Sequence, residues 1–249
     1  IKAFSENIQK RLEDFENAPN FESQESAFLK INDLRTEFIS MSNICHIRYT
    51  VDTNDKFYND EKAFFDTQMP QYENLRNQFY QSLINSKYKE ELRKKWGDQL
   101  FSLAHQQLKT FSPEILEDLV KENLLISEYT RLKAGAKIKF NGKEYNLSSI
   151  HIPETSNERS TRKAAAAAKW QFFEDNKKEF DEIFDKLVKI RHRIAQKLGY
   201  KNFVELGYAR MQRTDYTPRM VANFRDQVKE YIVPIASVLY ERQSKRLGL

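Results

Sequence analysis

Residues 155–199 read TSNERSTRKAAAAAKWQFFEDNKKEFDEIFDKLVKIRHRIAQKLG, and this stretch decides the fold class. It opens with the spacing of a capping box, Thr155 and Glu158, and continues into five alanines, the residue with the highest helix propensity. Apolar side chains then recur at helical spacing: Trp170, Phe173, Phe180, Phe184, Leu187, Ile194 and Leu198. With Gly199 as the stop, the stretch predicts one uninterrupted helix, about 60 Å long from the rise per residue of an α-helix.

Helical periodicity continues on both sides of this stretch. Two apolar stripes precede it: Phe4, Ile8, Leu12 and Phe15, then Phe28, Ile31, Leu34, Phe38 and Met41. Further helix starts are indicated by Ser112-Pro113, by Asn202 with Glu205, and by Thr217-Pro218. Pro234 lies inside the last apolar pattern and predicts a kink. Because only 6 glycines and 6 prolines accompany 40% hydrophobic and 31% charged residues, the composition predicts an all-α fold.

One short β element interrupts the helices. Residues 136–147 read AKIKFNGKEYNL, and Asn141-Gly142 favours a two-residue type I′ turn. In that register Ile138 lies opposite Tyr145 on one face, and Lys139 lies opposite Glu144 on the other as a charge pair. The pattern and the turn chemistry therefore predict a β-hairpin.

Composition also narrows the classes of function. Cys45 is the single cysteine, and no apolar run approaches the roughly 20 residues that cross a bilayer. We expect a cytoplasmic protein without a membrane partner. The net charge of +5 arises from 41 basic and 36 acidic side chains that are mostly interspersed. Acidic residues lie within a turn or two of both basic clusters, 93–95 and 189–193, so nucleic-acid binding is kept only as the lesser alternative.

The sequence offers few candidates for catalytic groups or metal ligands. Four histidines are present, namely His46, His105, His151 and His192, and none begins a His-Glu-x-x-His sequence or has metal-ligand spacing. His151 and Glu154 form only a weak pair. Cys45 and His46 are neighbours on a helix and point about 100° apart, which does not suit a thiolate and imidazole pair. The sequence thus predicts no catalytic residue and no metal site within this chain.

Several segments resemble one protein family, in the order in which that family carries them. They are 138–147, 187–203, 213–217, 224–225 and 232–234, and they look like oligoendopeptidase F, which belongs with the thimet-type zinc metallopeptidases. The most specific portion is Arg-x-x-Ile-Ala-x-x-Leu-Gly-Tyr-x-Asn-Phe at residues 191–203. The resemblance spans essentially the whole chain.

The resemblance implies an oligopeptidase, a zinc metalloendopeptidase that hydrolyses short peptides in a deep channel between two helical lobes. In this family zinc is bound by the two histidines of His-Glu-x-x-His and by a later Glu, while the Glu within the motif acts as general base. The motif lies C-terminal to the region that this sequence matches. We therefore expect these 249 residues to be the N-terminal portion, to bind no zinc, to be inactive alone, and to have the C-terminal catalytic part as their partner.

The resemblance also suggests an organisation along the chain. Residues 1–135 would form an N-terminal helical lobe, 136–199 a β-hairpin and long connecting helix, and 200–249 the start of the catalytic helical domain. For the whole chain, the main alternative is a non-catalytic helical scaffold that binds a partner protein.

Three residues are candidates for contact with the substrate. Arg210, Arg213 and Tyr216 place hydrogen-bond donors in a loop between two helices, where a channel wall could use them to hold a peptide carboxylate or carbonyl. In the alternative interpretation Asp215 caps the next helix and the arginines pair across helices.

Overall fold

A computed structural model describes residues 2–248, and 79% of it is helical, with one small antiparallel β-hairpin. The first helices are α1 (Lys2–Glu16), α2 (Phe21–Val51), α3 (Lys56–Ile84), α4 (Lys89–Trp96), α5 (Asp98–Leu108) and α6 (Leu116–Ala134). After the strands β1 (Ile138–Phe140) and β2 (Lys143–Tyr145) come α7 (His151–Glu154), α8 (Arg159–Asp175), α9 (Lys177–Lys197), α10 (Phe203–Arg210), α11 (Pro218–Gln227) and α12 (Val233–Leu247). The all-α prediction is confirmed.

Helices α1 to α5 share the largest core. Its fully buried side chains include Ile8, Phe15, Ile31, Phe79 and Leu83, which come from α1, α2 and α3. A smaller core farther along the α2–α3 pair contains Phe38, Cys45, Phe65 and Tyr72. The apolar stripes predicted for α1 and α2 supply Ile8, Phe15, Ile31 and Phe38 of these cores, whereas Met41 of the same pattern is exposed.

Pro70 lies inside α3 without ending it. A proline has no N–H, so the carbonyl of Asp66, four residues earlier, loses its helical donor. The side-chain amide of Asn123 on α6 donates to this carbonyl at 3.1 Å. The bond satisfies a carbonyl that the proline would leave unpaired, and it ties α6 to α3.

A second core joins α6, α9 and α10. It contains Phe111, Ile115, Ile190, Ile194 and Leu206. These residues come from all three of the segments predicted for 1–135, 136–199 and 200–249, so the segment boundaries remain a prediction.

The long helix predicted across 155–199 is wrong in one respect, because the structure breaks it into α8 and α9 at Asn176. This residue has φ −106° and ψ 12°, and its side-chain amide donates to the carbonyl of Phe172 at 2.7 Å. Such local bonding offers the backbone an alternative to the helix ladder. The predicted capping box is also wrong, because the Thr155 hydroxyl donates back to the carbonyl of His151 at 3.1 Å and Glu158 makes no side-chain cap.

The glycine stop and the hairpin are both confirmed. Gly199 has φ +80°, and Tyr200 N–H donates to the carbonyl of Ala195 at 2.9 Å to close α9. In the hairpin, Asn141 and Gly142 have φ of 48° and 74°, as a type I′ turn requires. The pairs Ile138 with Tyr145 and Lys139 with Glu144 match the predicted register.

The C-terminal helices follow one another as a nearly continuous rod. Ser112, Asn202 and Thr217 each accept a backbone N–H at the helix starts where the sequence placed them. Pro234, where a kink is predicted, is the second residue of α12, which begins directly after a π-helical turn at Val228–Ile232. Among the helices of residues 2–248, none combines the length and the apolar run needed to cross a membrane.

Candidate functional site

A cleft of about 340 Å³ lies where α3, α5, α6 and α10 meet. Its apolar lining comprises Met69, Pro70, Phe111, Leu119, Ile126 and Ala209. Its polar lining comprises Glu73, Arg76, Gln107, Thr110, Glu122, Asn123, Arg210 and Gln212. Charged groups of both signs are therefore concentrated against an apolar wall, which strengthens the interactions between them.

Glu122 is the centre of the ion pairs at this cleft. Glu122 is 4% exposed, and its carboxylate accepts from Arg191 Nε at 2.7 Å and from Arg210 Nη1 at 3.0 and 2.9 Å. Both guanidinium groups also lie over the Phe203 ring, 5.3 and 5.6 Å from its centroid. One acidic side chain thus joins α6, α9 and α10.

Asp118, one helical turn before Glu122, makes a second buried cluster. Arg193 Nη2 lies 2.9 Å from one carboxylate oxygen, and Lys197 Nζ lies 2.9 Å from the other. Burial raises the pKa of Asp118, but hydrogen bonds from Lys197 and Arg193 and their positive charges lower it by more. The pKa of this carboxyl therefore lies below its ordinary value, and the carboxylate is ionised at neutral pH.

The opposite wall of the cleft carries a ring of three polar side chains. Arg76 pairs with Glu73 and donates to Gln107 Oε1 at 2.7 Å, while Gln107 Nε2 donates to Glu73 at 3.1 Å. Burial raises the pKa of Glu73 above its ordinary value, and the charges of Arg76 and Arg35 offset this only in part. Within residues 2–248, Arg76 Nε and Arg210 Nη2 are buried N–H groups without a hydrogen-bond acceptor.

The three predicted substrate-contacting residues occupy two places. Arg213 lies between aromatic rings, with its guanidinium 5.1 Å from the Tyr208 centroid and 4.9 Å from that of Tyr216. Arg210 instead belongs to the Glu122 ion pair across helices. The structure therefore brings Arg213 and Tyr216 together and holds Arg210 at the cleft. Thr217, and not Asp215, caps α11.

The basic clusters face carboxylates inside the same molecule. The ion pairs are Arg93 with Asp98 at 3.2 Å, Lys95 with Glu25 at 2.6 Å, Lys189 with Asp185 at 2.6 Å and Arg191 with Glu122 at 2.7 Å. Phosphate binding needs basic side chains that are free on one face. Much of the charge in both clusters is committed to these pairs.

The side chains of residues 2–248 do not provide a ligand set for the zinc ion that the resemblance implies. Within residues 2–248 no group of three or more His, Cys, Asp or Glu side chains lies close enough together to hold a metal ion. The buried carboxylates Asp118 and Glu122 are bonded to cations, and Glu154, which follows His151, pairs with Lys169 at 3.1 Å.

The sequence did not identify the two buried acids of α6, of which Glu122 lines the cleft. Asp118 and Glu122 lie four residues apart on one face of α6, and the basic run of α9 supplies their partners. The sequence contains this complementary pair of patterns, but nothing in the order of residues shows that α6 and α9 are neighbours. The pairing of these acidic and basic residues can be recognised only once the packing of α6 against α9 is known.

Together, the fold and the cleft define the class of protein: a helical protein whose cleft has both polar and apolar walls and in which buried ion pairs join α6, α9 and α10. Residues 1–111 match the family of the Peptidase M3 N-terminal domain. The chain is also similar over its whole length to solved peptidase structures. It belongs to the oligoendopeptidase F-like peptidases, of which it represents the N-terminal portion.

Three solved structures support this assignment. PZ peptidase A, solved with an inhibitor, is 50% identical with a TM-score of 0.97. A protein from Bacillus anthracis str. Ames assigned as oligoendopeptidase F is 47% identical with a TM-score of 0.96, and a further chain with that assignment is 48% identical at 0.97. Each match covers 100% of this chain but only 44% to 46% of the solved chain. No curated protein matches the chain significantly.

Proposed function

We propose that this chain is the N-terminal part of a zinc metalloendopeptidase that hydrolyses short peptides, and that it forms one wall of the substrate channel. The observation that carries the proposal is the 47% to 50% identity with solved peptidases over 100% of the chain. At that identity, with TM-scores of 0.96 and 0.97, the same lobe is expected to serve the same purpose in the whole protein.

The chemistry of peptide hydrolysis is assigned to polypeptide outside these residues. When zinc is bound in such an enzyme, it polarises the peptide carbonyl and activates water. The residues described here are proposed to bind and orient the peptide. The hydroxyl of Tyr216 and the guanidinium of Arg213 are the donors that we assign to a carbonyl or carboxylate of the substrate. We also propose a cytoplasmic location for the whole protein, which the presence of a single cysteine in these 249 residues supports.

Activity is tested with the full-length protein and a series of quenched fluorogenic peptides of increasing length. We expect cleavage of short, unstructured peptides, loss of cleavage with a zinc chelator, and no cleavage of a folded protein that contains the same sequence. Absence of cleavage at every length would refute the proposed activity. The 249-residue chain alone is expected to show no turnover, and robust turnover would overturn the assignment of the chemistry to the rest of the protein.

The binding role of Arg213 is tested by Arg213→Gln in the full-length protein. Loss of one charge-assisted hydrogen bond of about 1.5 kcal/mol is expected to raise KM about tenfold, with a smaller effect on kcat. Arg219→Gln is the matched control, since Arg219 is exposed in the first turn of α11. Equal KM values for the two variants, at equal thermal stability, would remove Arg213 from the substrate site.

A further inference from the structure

Within residues 2–248, no other element covers the rod formed by α11, the π-helical turn and α12. Within the part of the chain that the structure describes, α12 makes no extensive contact except with the π-helical turn before it. None of the residues in these three elements is buried. The helical stability of short segments comes mainly from packing of an apolar face, so a rod in this state lacks its main stabilising interaction.

The exposed side chains of the rod are those of a core helix. One stripe, at spacings of four, seven, four and three, is formed by Met220, Phe224, Tyr231, Ile235 and Val238, which are 46% to 65% exposed. A neighbouring stripe contains Ile232 and Leu239, and Val233 and Tyr240 widen the apolar surface further. Between Tyr231 and Tyr240 every residue except Ser237 is apolar, so this part of the rod is apolar over most of its circumference. A helix of that kind is normally buried among other helices.

The polar residues of the rod mark the side left to water. Asp226, Glu230, Ser237 and Glu241 follow one another at spacings of four, seven and four, so they form one polar stripe. Further polar side chains lie toward both ends of the rod, among residues 219–229 and 242–246, so the apolar surface is widest between Tyr231 and Tyr240. Single exposed apolar residues need no explanation, but a contiguous surface of this extent marks an interface. The occupant must therefore be apolar and must surround the rod on more than one side.

The solved relatives indicate which polypeptide this is. The match covers 100% of this chain at TM-scores of 0.96 to 0.97, so the rod has the same placement in chains more than twice as long. Within residues 2–248 no extensive contact fixes that placement, because α12 packs to any extent only on the π-helical turn before it. The placement must then come from the additional polypeptide of the longer chains.

We propose that residues 218–247 form a central helix of the catalytic lobe, packed on at least two sides by the polypeptide that follows this segment in the full-length protein. The inference rests on the proposed function, since it takes the C-terminal catalytic part as the occupant. It adds that the boundary between the lobes lies before Pro218, so that the rod is the element by which the two halves of the protein are joined.

Amide hydrogen exchange of the full-length protein tests this proposal. We expect the amides of residues 228–240 to exchange as slowly as those of the buried helices α2 and α9, at every protein concentration. Ile235→Asp is expected to abolish this protection, and Ile235→Ala to reduce it if the aspartate variant does not fold. Ser237→Asp, on the polar stripe of the same helix, is the matched control and should retain protection.

Three results bear on the proposal. Fast exchange in residues 228–240, while α2 and α9 stay protected, would overturn it. Protection that disappears on dilution to the monomer would also overturn it, because the occupant would then be a second copy of the protein. Hydrogen exchange requires no peptide cleavage, so a protected rod in an inactive protein would reject the proposed activity and leave the docking of the rod intact.

Discussion

Replacement of Glu122 by glutamine tests the most consequential contact in this chain. The substitution keeps the shape of the side chain but removes the charge that Arg191 and Arg210 share. The guanidinium groups of Arg191 and Arg210 would then lie beside a neutral side chain without a counterion. Because the carboxylate joins α6, α9 and α10, its loss is expected to loosen all three helices together.

The stability that Glu122→Gln should lose depends on how exposed the two arginine partners are. Removing one member of a fully buried ion pair costs about 3–5 kcal/mol, since the remaining charge is left unpaired. Here the side chains of Arg191 and Arg210 are 34% and 24% exposed, so water recovers part of this energy. We expect a loss of about 2 kcal/mol. For a cooperative unit of this size, this corresponds to a fall in Tm of about 4–8 °C.

Thermal unfolding measured by fluorescence is the assay, and Glu117→Gln is the matched control. Glu117 lies on the same helix and is exposed, so its replacement should change Tm by less than about 1 °C. The double variant with Arg210→Gln should cost less than the sum of the single variants, since each removes the same interaction. A Tm for Glu122→Gln equal to that of Glu117→Gln would refute the argument that the buried carboxylate joins the three helices.

The remaining predictions concern other contacts of the fold. Asn123→Ala should lower the unfolding free energy, measured with urea, by about 1 kcal/mol, because it leaves the carbonyl of Asp66 unpaired. The loss should be clearly smaller in a Pro70→Ala background, where the helical donor to this carbonyl is restored. Equal losses in the two backgrounds would refute the pairing. Gly199→Ala should destabilise the protein by about 1 kcal/mol, because φ at this position is +80°. Gly207→Ala lies inside a helix with room for a Cβ and should be neutral or stabilise the protein by about 0.5 kcal/mol. Effects of the same sign for the two substitutions would contradict this. Asp118→Asn should lower the unfolding free energy above about pH 4, and the deficit should shrink as pH falls through the depressed folded-state pKa of the wild-type carboxyl; a deficit that does not vary with pH would be the contrary result.

Local sequence signals succeeded where one residue type determines the backbone. Asn141 and Gly142 adopt the positive φ values that a type I′ turn needs, and the hairpin register followed from them. Gly199 ended its helix for the same reason. At Asn176 the local signal failed, because the apolar stripe continues across the break and a side-chain bond to the backbone decides the matter.

The sequence predicted the candidate site less completely than it predicted the fold. Arg210, Arg213 and Tyr216 were selected as a group of donors, but Arg210 faces Glu122 on α6, 88 residues earlier in the chain. Such a contact depends on the packing of helices that are distant in sequence, and helical periodicity describes each helix by itself. The role of Glu122 as an ion-pair centre therefore became clear only from the positions of its partners in the structure.

The amino-acid sequence by itself determined the helical class, the hairpin and most helix ends, because propensity, capping and positive φ are properties of a few neighbouring residues. It also carried the resemblance to the oligoendopeptidase F-like peptidases in its ordered segments. Tertiary structure alone decided that Glu122 and Asp118 are buried ion-pair centres, that Asn123 completes the helix of Pro70, and that the rod at 218–247 is uncovered. These features arise from contacts between helices, whose energies depend on burial and distance and not on order along the chain.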